Sequence, residues 1–334
     1  MAIRRMLRLI NRCGIFPVLI VWIGVLAAAN PSFRRWDNFL NILQQSTPIG
    51  VISIGMTFAI ISGAFDLSVG SLMALSACVL VSLIQPIGFY PAVLVTLAVG
   101  AIGGLFNGLL ITRAGLAPFI ATLGTMWVFR ALAYIYTGNR PVTSSDLHLI
   151  GWGEKFLGLP RLFLVMILFY VLAYVVLYHT PFGRSIFAVG SNPRAGILSG
   201  INVLRVRVRV FVWVGFFGAL GGAMLSVRLW SAKADTAMGY ELMAIATVVL
   251  GGTSLKGGRG TLAGSLGAVL LFATVYNALD MFQVQSYWQK IALGGILLLA
   301  LSVDGLRRWL TRNEGIGSVQ RRMEADPDEG GTKS

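Results

Sequence analysis

The sequence predicts an all-α polytopic membrane protein of about ten transmembrane helices, some of them short or broken. Three observations carry that prediction. Hydrophobic residues make up 56% of the 334 and charged residues only 12%, with a mean hydropathy of +0.77, far from the usage of soluble domains. Apolar runs of membrane length recur along the chain, parted by short polar stretches. Lys and Arg gather at alternate breaks between those runs, as the positive-inside bias requires. The net charge of +14 would point to nucleic acid in a soluble chain. Here the position of each basic residue matters more than the total, and the expected surroundings are membrane lipid, with no nucleic-acid partner.

Taken in order, Arg4, Arg5, Arg8 and Arg12 precede an apolar stretch from Gly14 to Leu26, and Ala27, Ala28 and Ala29 resemble a cleavage site. This imitates a secretory signal, but the many apolar segments that follow favour a first, uncleaved span. A polar loop with Arg34, Arg35 and Asp37 leads to apolar runs at about 47–62, 68–84, 90–112, 117–137, 161–179, 207–229, 240–252, 261–280 and 288–304. Several are short or Gly-rich, so one or two are expected to be re-entrant rather than spanning. Arg205, Arg207 and Arg209 alternate with valines. A lone strand in lipid would leave its backbone unpaired, so this is the end of a helix with snorkelling arginines. The transmembrane domain is expected over 1–312, and 313–334, without an apolar period, as a disordered tail. A cytoplasmic N-terminus puts eighteen of the 27 Lys and Arg on that side and both termini with them.

Thr180 to Ile201, TPFGRSIFAVGSNPRAGILSGI, is the longest polar interruption that still carries helix punctuation. Asn192 suits an N-cap, Pro193 the first helical position and Gly200 the left-handed residue that ends a helix. About two turns lie between, Pro193 to Ser199 with Arg194 inside. Ala195 and Leu198 share a face, with Ile201 just beyond, ready to press against something. The orientation places this helix on the cytoplasmic side.

Two internal likenesses point to an inverted repeat of the transporter kind. MTFAIISGAFDLSVGSLMAL and IATVVLGGTSLKGGRGTLAGSLGAVL each break at a small-residue turn and resume. LFNGLLITRAGLAPFIATLGT aligns without gaps on VYNALDMFQVQSYWQKIALGG, matching Asn107 to Asn277. The copies begin about five apparent spans apart, an odd number, and so are expected to face opposite ways.

Groups suited to chemistry are few. Carboxylates cost about 2.5–3.5 kcal/mol at a bilayer centre, so Asp66, Glu241, Asp280 and Asp304 belong at helix ends, with Asp66 capping a helix near Ser68. The turns Asp66, Leu67, Ser68 and Gly70, and Gly251, Gly252, Gly257, Gly258 and Gly260, are expected at the cytoplasmic side. GGTSLKGGRGT is not a phosphate loop, because Gly258 stands where lysine is required. No metal-ligand spacing, nucleophile elbow or zinc-protease motif occurs, so the chain is expected to be no enzyme and to hold no cofactor of its own. Asn107, Thr125, Arg130, Tyr276 and Asn277 are polar groups in or near spans, placed either to line a translocation path, for which Asn107, Thr125, Tyr276 and Asn277 are the candidates, or to hydrogen-bond helix to helix, the commoner role. Trp127, Phe129 and Trp213 could stack on a sugar or pack in core or lipid, and Cys13 and Cys78 are expected to be reduced.

From about Gln44 to Asp304 the chain resembles the permease subunits of bacterial ABC importers for ribose, xylose, arabinose, galactose and related solutes. The likeness rests on ISGAFDLSVGS, NGLLITR, PFIATLGTM, TPFGRSIFAVGSNPRAGILSGI, MGYELMAIATVVLGGTSLKGGRGT and YWQKIALGGILLLALSVD in that order. It implies that the helix over 192–200 is a coupling helix docking on a cytoplasmic ATP-binding subunit, which binds ATP and Mg. It also implies a second permease, identical or homologous, a periplasmic solute-binding protein and a place in the inner membrane. Arg194 and Gly196 stand where such sequences often have an acidic residue and alanine, and Met243 where aspartate is common. Gly196 weakens the helix by about 1 kcal/mol relative to alanine. The alternatives are a branched-chain amino-acid permease of the same kind and a secondary transporter or channel with no ATPase.

Overall fold

The computed structural model describes residues 14–285 and, beyond them, 287–289, 291, 292, 294, 295 and 298. The basic N-terminal residues, Cys13, Asp304 and the expected tail lie outside the described residues, as does much of the expected last span. The helices are α1 (Phe16–Ala29), α2 (Trp36–Ile61), α3 (Val69–Ile87), α4 (Phe89–Thr112), α5 (Pro118–Thr137), α6 (Leu147–Trp152), α7 (Arg161–His179), α8 (Pro181–Ser191), α9 (Pro193–Leu198), α10 (Val203–Leu229), α11 (Tyr240–Leu250) and α12 (Leu262–Met281). Among the described residues six are long and apolar enough to cross a membrane: α3, α4, α5, α7, α10 and α12. The 26 residues of α2 are long enough but less apolar, and they are buried at every position from Ser46 to Ile61. Its start at Trp36 takes in most of the expected polar loop. Leu40, Ile42 and Leu43 give that stretch a buried face, and Asp37 lies in the first turn, where it favours the helix dipole.

The 27-residue α10 is the central column, packed on α4, α2 and α3. Glycines on α4 and α10 let the two antiparallel backbones touch: Gly108 faces Val208, Gly104 faces Phe211, and Gly100 faces Gly215 and Ala219. A Cβ at Gly104 would run into the Phe211 carbonyl. The bundle thus has two ends. One carries α8, α9 and the basic start of α10. The other carries the short antiparallel pair β1 (Val142–Thr143) with β4 (Ser231–Ala232), and the hairpin β2 (Lys155–Phe156) with β3 (Leu159–Pro160). The Arg205–Arg209 stretch is helical as expected, with Asn202 accepting from the Arg205 amide at 3.0 Å.

The expected span at 240–252 is not one. At eleven residues, α11 is only about 16 Å long. The chain returns from β4 as a strap beside α3 and enters α11 part-way down, so α11 runs toward the α9 end without having crossed. That half-crossing changes the parity. α2 and α11 run in the same direction, as do α3 and α12, so the loop-to-helix likeness is not inverted. The asparagine alignment does pair helices of opposite direction, α4 and α12. The two likenesses share α12 and do not extend into one register.

Candidate functional site

At the α9 end the punctuation behaves as the sequence predicts. Asn192 Oδ1 accepts from the amides of Arg194 at 3.0 Å and Ala195 at 3.1 Å, Pro193 opens α9, and Gly200 has φ +79°. Only Gly196 is buried in this helix, and Ala195, Ile197 and Leu198 face outward, Leu198 being 89% exposed. Ile201 turns back toward the main core. The sequence reading missed α8, although Thr180 and Pro181 repeat the cap-then-proline signal of Asn192 and Pro193. The Thr180 hydroxyl accepts from the Gly183 amide at 3.2 Å.

α8 is gripped from two sides. Gly190 passes so close to the last turn of α2 that a Cβ there would overlap the Ile61 carbonyl oxygen and stand 2.7 Å from the Gly258 nitrogen. The Gly258 amide donates to that same Ile61 oxygen at 2.8 Å. A Cβ on Gly257 would stand 2.9 Å from both the Gly190 oxygen and the Gly63 Cα. The Gly251–Gly260 loop is therefore a clasp tying α8 to the ends of α2 and α11. Gly251 packs on Gly264 and Gly260 on Thr253 and Ile61, and the Leu262 amide reaches the Tyr178 hydroxyl at 3.4 Å.

The Asp66–Gly70 turn, grouped with that loop in the sequence reading, lies deeper. Leu72 meets Gly103 and Ser68 meets Asn107, so the turn sits roughly 8 Å inside the Thr112 end of α4, counted at 1.5 Å per residue. Asp66 Oδ1 accepts from the Ser68 amide at 2.7 Å and the Ser68 hydroxyl at 2.6 Å. The Asn107 amide donates to Ser68 Oγ at 2.7 Å, and all three residues are at most 1% exposed. Leu67 is buried beside them, and Gly70 leaves room for the Glu241 carboxylate. Asp66 thus holds the turn that leads into α3, inside the bundle, while the N-cap position falls to Ser68, which makes no side-chain capping bond. Asp66→Ala strands a buried amide and hydroxyl and is expected to cost about 3 kcal/mol. Asp66→Asn keeps an acceptor for Ser68 and is expected to cost about 1 kcal/mol. Equal melting temperatures for the two purified variants would refute that ordering.

The four candidate path residues are not brought together. Asn107 serves the Asp66 turn. Thr125 bonds back to the Thr122 carbonyl at 3.3 Å. Asn277 donates to Asn38 on α2 at 2.8 Å, a helix-to-helix contact. Tyr276 alone borders a cavity, of about 220 Å³, shared by α2, α10, α11 and α12. Of the aromatics, Trp213 stacks on Phe58 and Phe217, Phe129 is buried, and Trp127 is exposed on the outer face of α5. Arg130 ties the strap before α11, donating to the carbonyls of Ala234 at 2.6 Å and Thr236 at 2.8 Å. Cys78 is a free, buried thiol.

Residues 38–301 match the family described as branched-chain amino acid transport system, permease component. The chain belongs to this permease family. It is 42% identical over 300 residues to a ribose import permease protein of Bacillus subtilis (strain 168), covering 88% of this chain and 92% of that one. To the ribose import permease protein of Escherichia coli (strain K12) it is 37% identical over 297 residues, 87% of this chain and 92% of that one. To a galactose/methyl galactoside import permease protein of Haemophilus influenzae it is 34% identical over 320 residues, 90% of this chain and 95% of that one. No solved structure matches the chain significantly. A membrane-embedded, multi-pass permease is the reading on which family and helices agree.

Proposed function

We propose that this chain is the transmembrane subunit of an ATP-driven importer for a monosaccharide, with α9 as its coupling helix. The observation that carries the coupling role is a short, capped helix whose apolar tip, Ile197 and Leu198, is left uncovered by the described residues. The ribose and galactose named for its relatives support a sugar over a branched-chain amino acid. The α9 end then faces the cytoplasm, with both termini, and docks on an ATP-binding subunit that holds ATP and Mg. A second permease copy or homologue shares the path, and a periplasmic binding protein delivers solute to the strand end.

The clasp supplies the mechanics. A push on α9 passes through the Asn192 turn to α8, and through Gly190 to the ends of α2 and α11. Those two helices carry Gln45, Ile49, Tyr240 and Met243 to the cavity, so nucleotide-dependent docking at one end would reshape it at the other. A ligand shifts such an equilibrium only by binding the two states unequally, which here falls to the ATP-binding subunit. Gentle purification from native membranes, with mass spectrometry of what accompanies the chain, tests the assignment. A stoichiometric ATP-binding subunit, and sugar uptake that stops without ATP, are expected. Uptake by the chain alone, driven by an ion gradient, would replace the assignment with a secondary transporter.

A further inference from the structure

We infer that the cavity between α2, α10, α11 and α12 is the sugar-holding site of the path, an inference that rests on the importer reading above. It opens in the strand-end half of the bundle. Gln45 lies nine residues into α2, Arg228 is in the last turn of α10, Tyr240 begins α11, and Tyr276 and Asp280 close α12. Ile49, Met243 and Phe272 add an apolar side on the route toward the clasp. The volume of about 220 Å³ is below the roughly 300–1,000 Å³ usual for drug-sized ligands, which suits one small ring and excludes an oligosaccharide.

The polar groups have complementary roles. The Arg228 guanidinium only donates, the Asp280 carboxylate accepts, and the two tyrosine hydroxyls and the Gln45 amide do both. Among the described residues no ion pair joins Arg228 to Asp280. Among the described residues neither tyrosine hydroxyl nor the Arg228 guanidinium has a hydrogen-bond partner, although the lining is drawn from four helices, and the Asp280 carboxylate, whose Oδ1 accepts from Gln289 at 2.9 Å, keeps its other oxygen for a ligand. A neutral polyol meets this arrangement, because each of its hydroxyls can accept from the cation side and donate to the carboxylate side. The two tyrosines in the lining also bring aromatic surface, of the kind that packs against the C–H side of a sugar ring. An amino-acid zwitterion would also satisfy Arg228 and Asp280, which makes leucine the comparison to run beside the sugars.

Proteoliposomes holding the permease, its ATP-binding subunit and its binding protein are to be assayed for uptake of labelled ribose, galactose and leucine. We expect one of the sugars to be carried, and Arg228→Gln and Tyr276→Phe each to lower that uptake at least tenfold with the melting temperature kept. In a Cys13→Ser background, Gln45→Cys is expected to react with a membrane-impermeant maleimide from the strand-end side and to be shielded by the carried sugar. Should either uptake variant melt early, the shielding result decides. Sugar uptake at the wild-type rate in both well-folded variants, or a Gln45→Cys thiol that the sugar does not shield, overturns the site and leaves the importer reading standing. Leucine carried in place of either sugar overturns the reading and the sugar assignment together.

Discussion

Leu198→Asp is expected to abolish uptake while leaving the permease folded and inserted. Leu198 is 89% exposed and its neighbour Ile197 61% exposed, at the end of a helix of six residues, so the fold gains almost nothing from either side chain. If the tip seats in a socket on the ATP-binding subunit, burying such a side chain contributes about 1.5–3 kcal/mol, and about 1.4 kcal/mol is tenfold in affinity. Asp removes that gain and brings an unpaired charge into an apolar seat, which adds several kcal/mol of desolvation. Uptake below a tenth of wild type, loss of the ATP-binding subunit on purification and an unchanged melting temperature form the expected signature. Retained copurification with normal uptake would show that α9 is an ordinary connecting turn.

What the sequence revealed about this end, and what it hid, follows from the range of the interactions. Asn192, Pro193 and Gly200 act on backbone groups within a few residues of themselves, so their roles were readable. Thr180 and Pro181 carry the same local signal, and α8 could have been found from it. The membrane class and the positions of most long helices were legible because lipid imposes one composition on every exposed span. The depth of Asp66 was not legible. It depends on how far down α4 the first turn of α3 lies, and that is set by contacts of Gly103 with Leu72 and of Gly218 with Val69. The partial crossing of α11 was equally hidden: its apolar run differs from a span only in length, yet that difference reverses the parity on which the inverted repeat was inferred. The cavity joins Gln45 to Tyr276 and Asp280 across more than two hundred residues, and no spacing rule links them.

Gly190→Ala should disable transport by a different route, without loosening the ATP-binding subunit. One methyl group at this position would occupy the space of the Ile61 carbonyl oxygen, an atom already held by the Gly258 amide at 2.8 Å. Backbone surrounds the site: Ile61 belongs to α2 and Gly258 to the clasp, so no flexible side-chain tip can swing aside. Either α8 withdraws from α2 or the Gly258 bond breaks, and overpacking of this kind costs about 1–3 kcal/mol. In both cases the strut from α9 to α2 and α11 is severed, while Ile197 and Leu198 keep their exposed surface. The expected result is at least a tenfold fall in uptake, a lower melting temperature and full copurification of the ATP-binding subunit, the reverse of Leu198→Asp on the last two counts. Gly196→Ala is the control. A Cβ there finds its nearest neighbours at 3.9 and 4.0 Å, on Val203 and Ile201, and alanine favours the helix, so uptake should hold. Wild-type uptake by Gly190→Ala would mean that the motion reaches the cavity by some route other than the contact between α8 and α2.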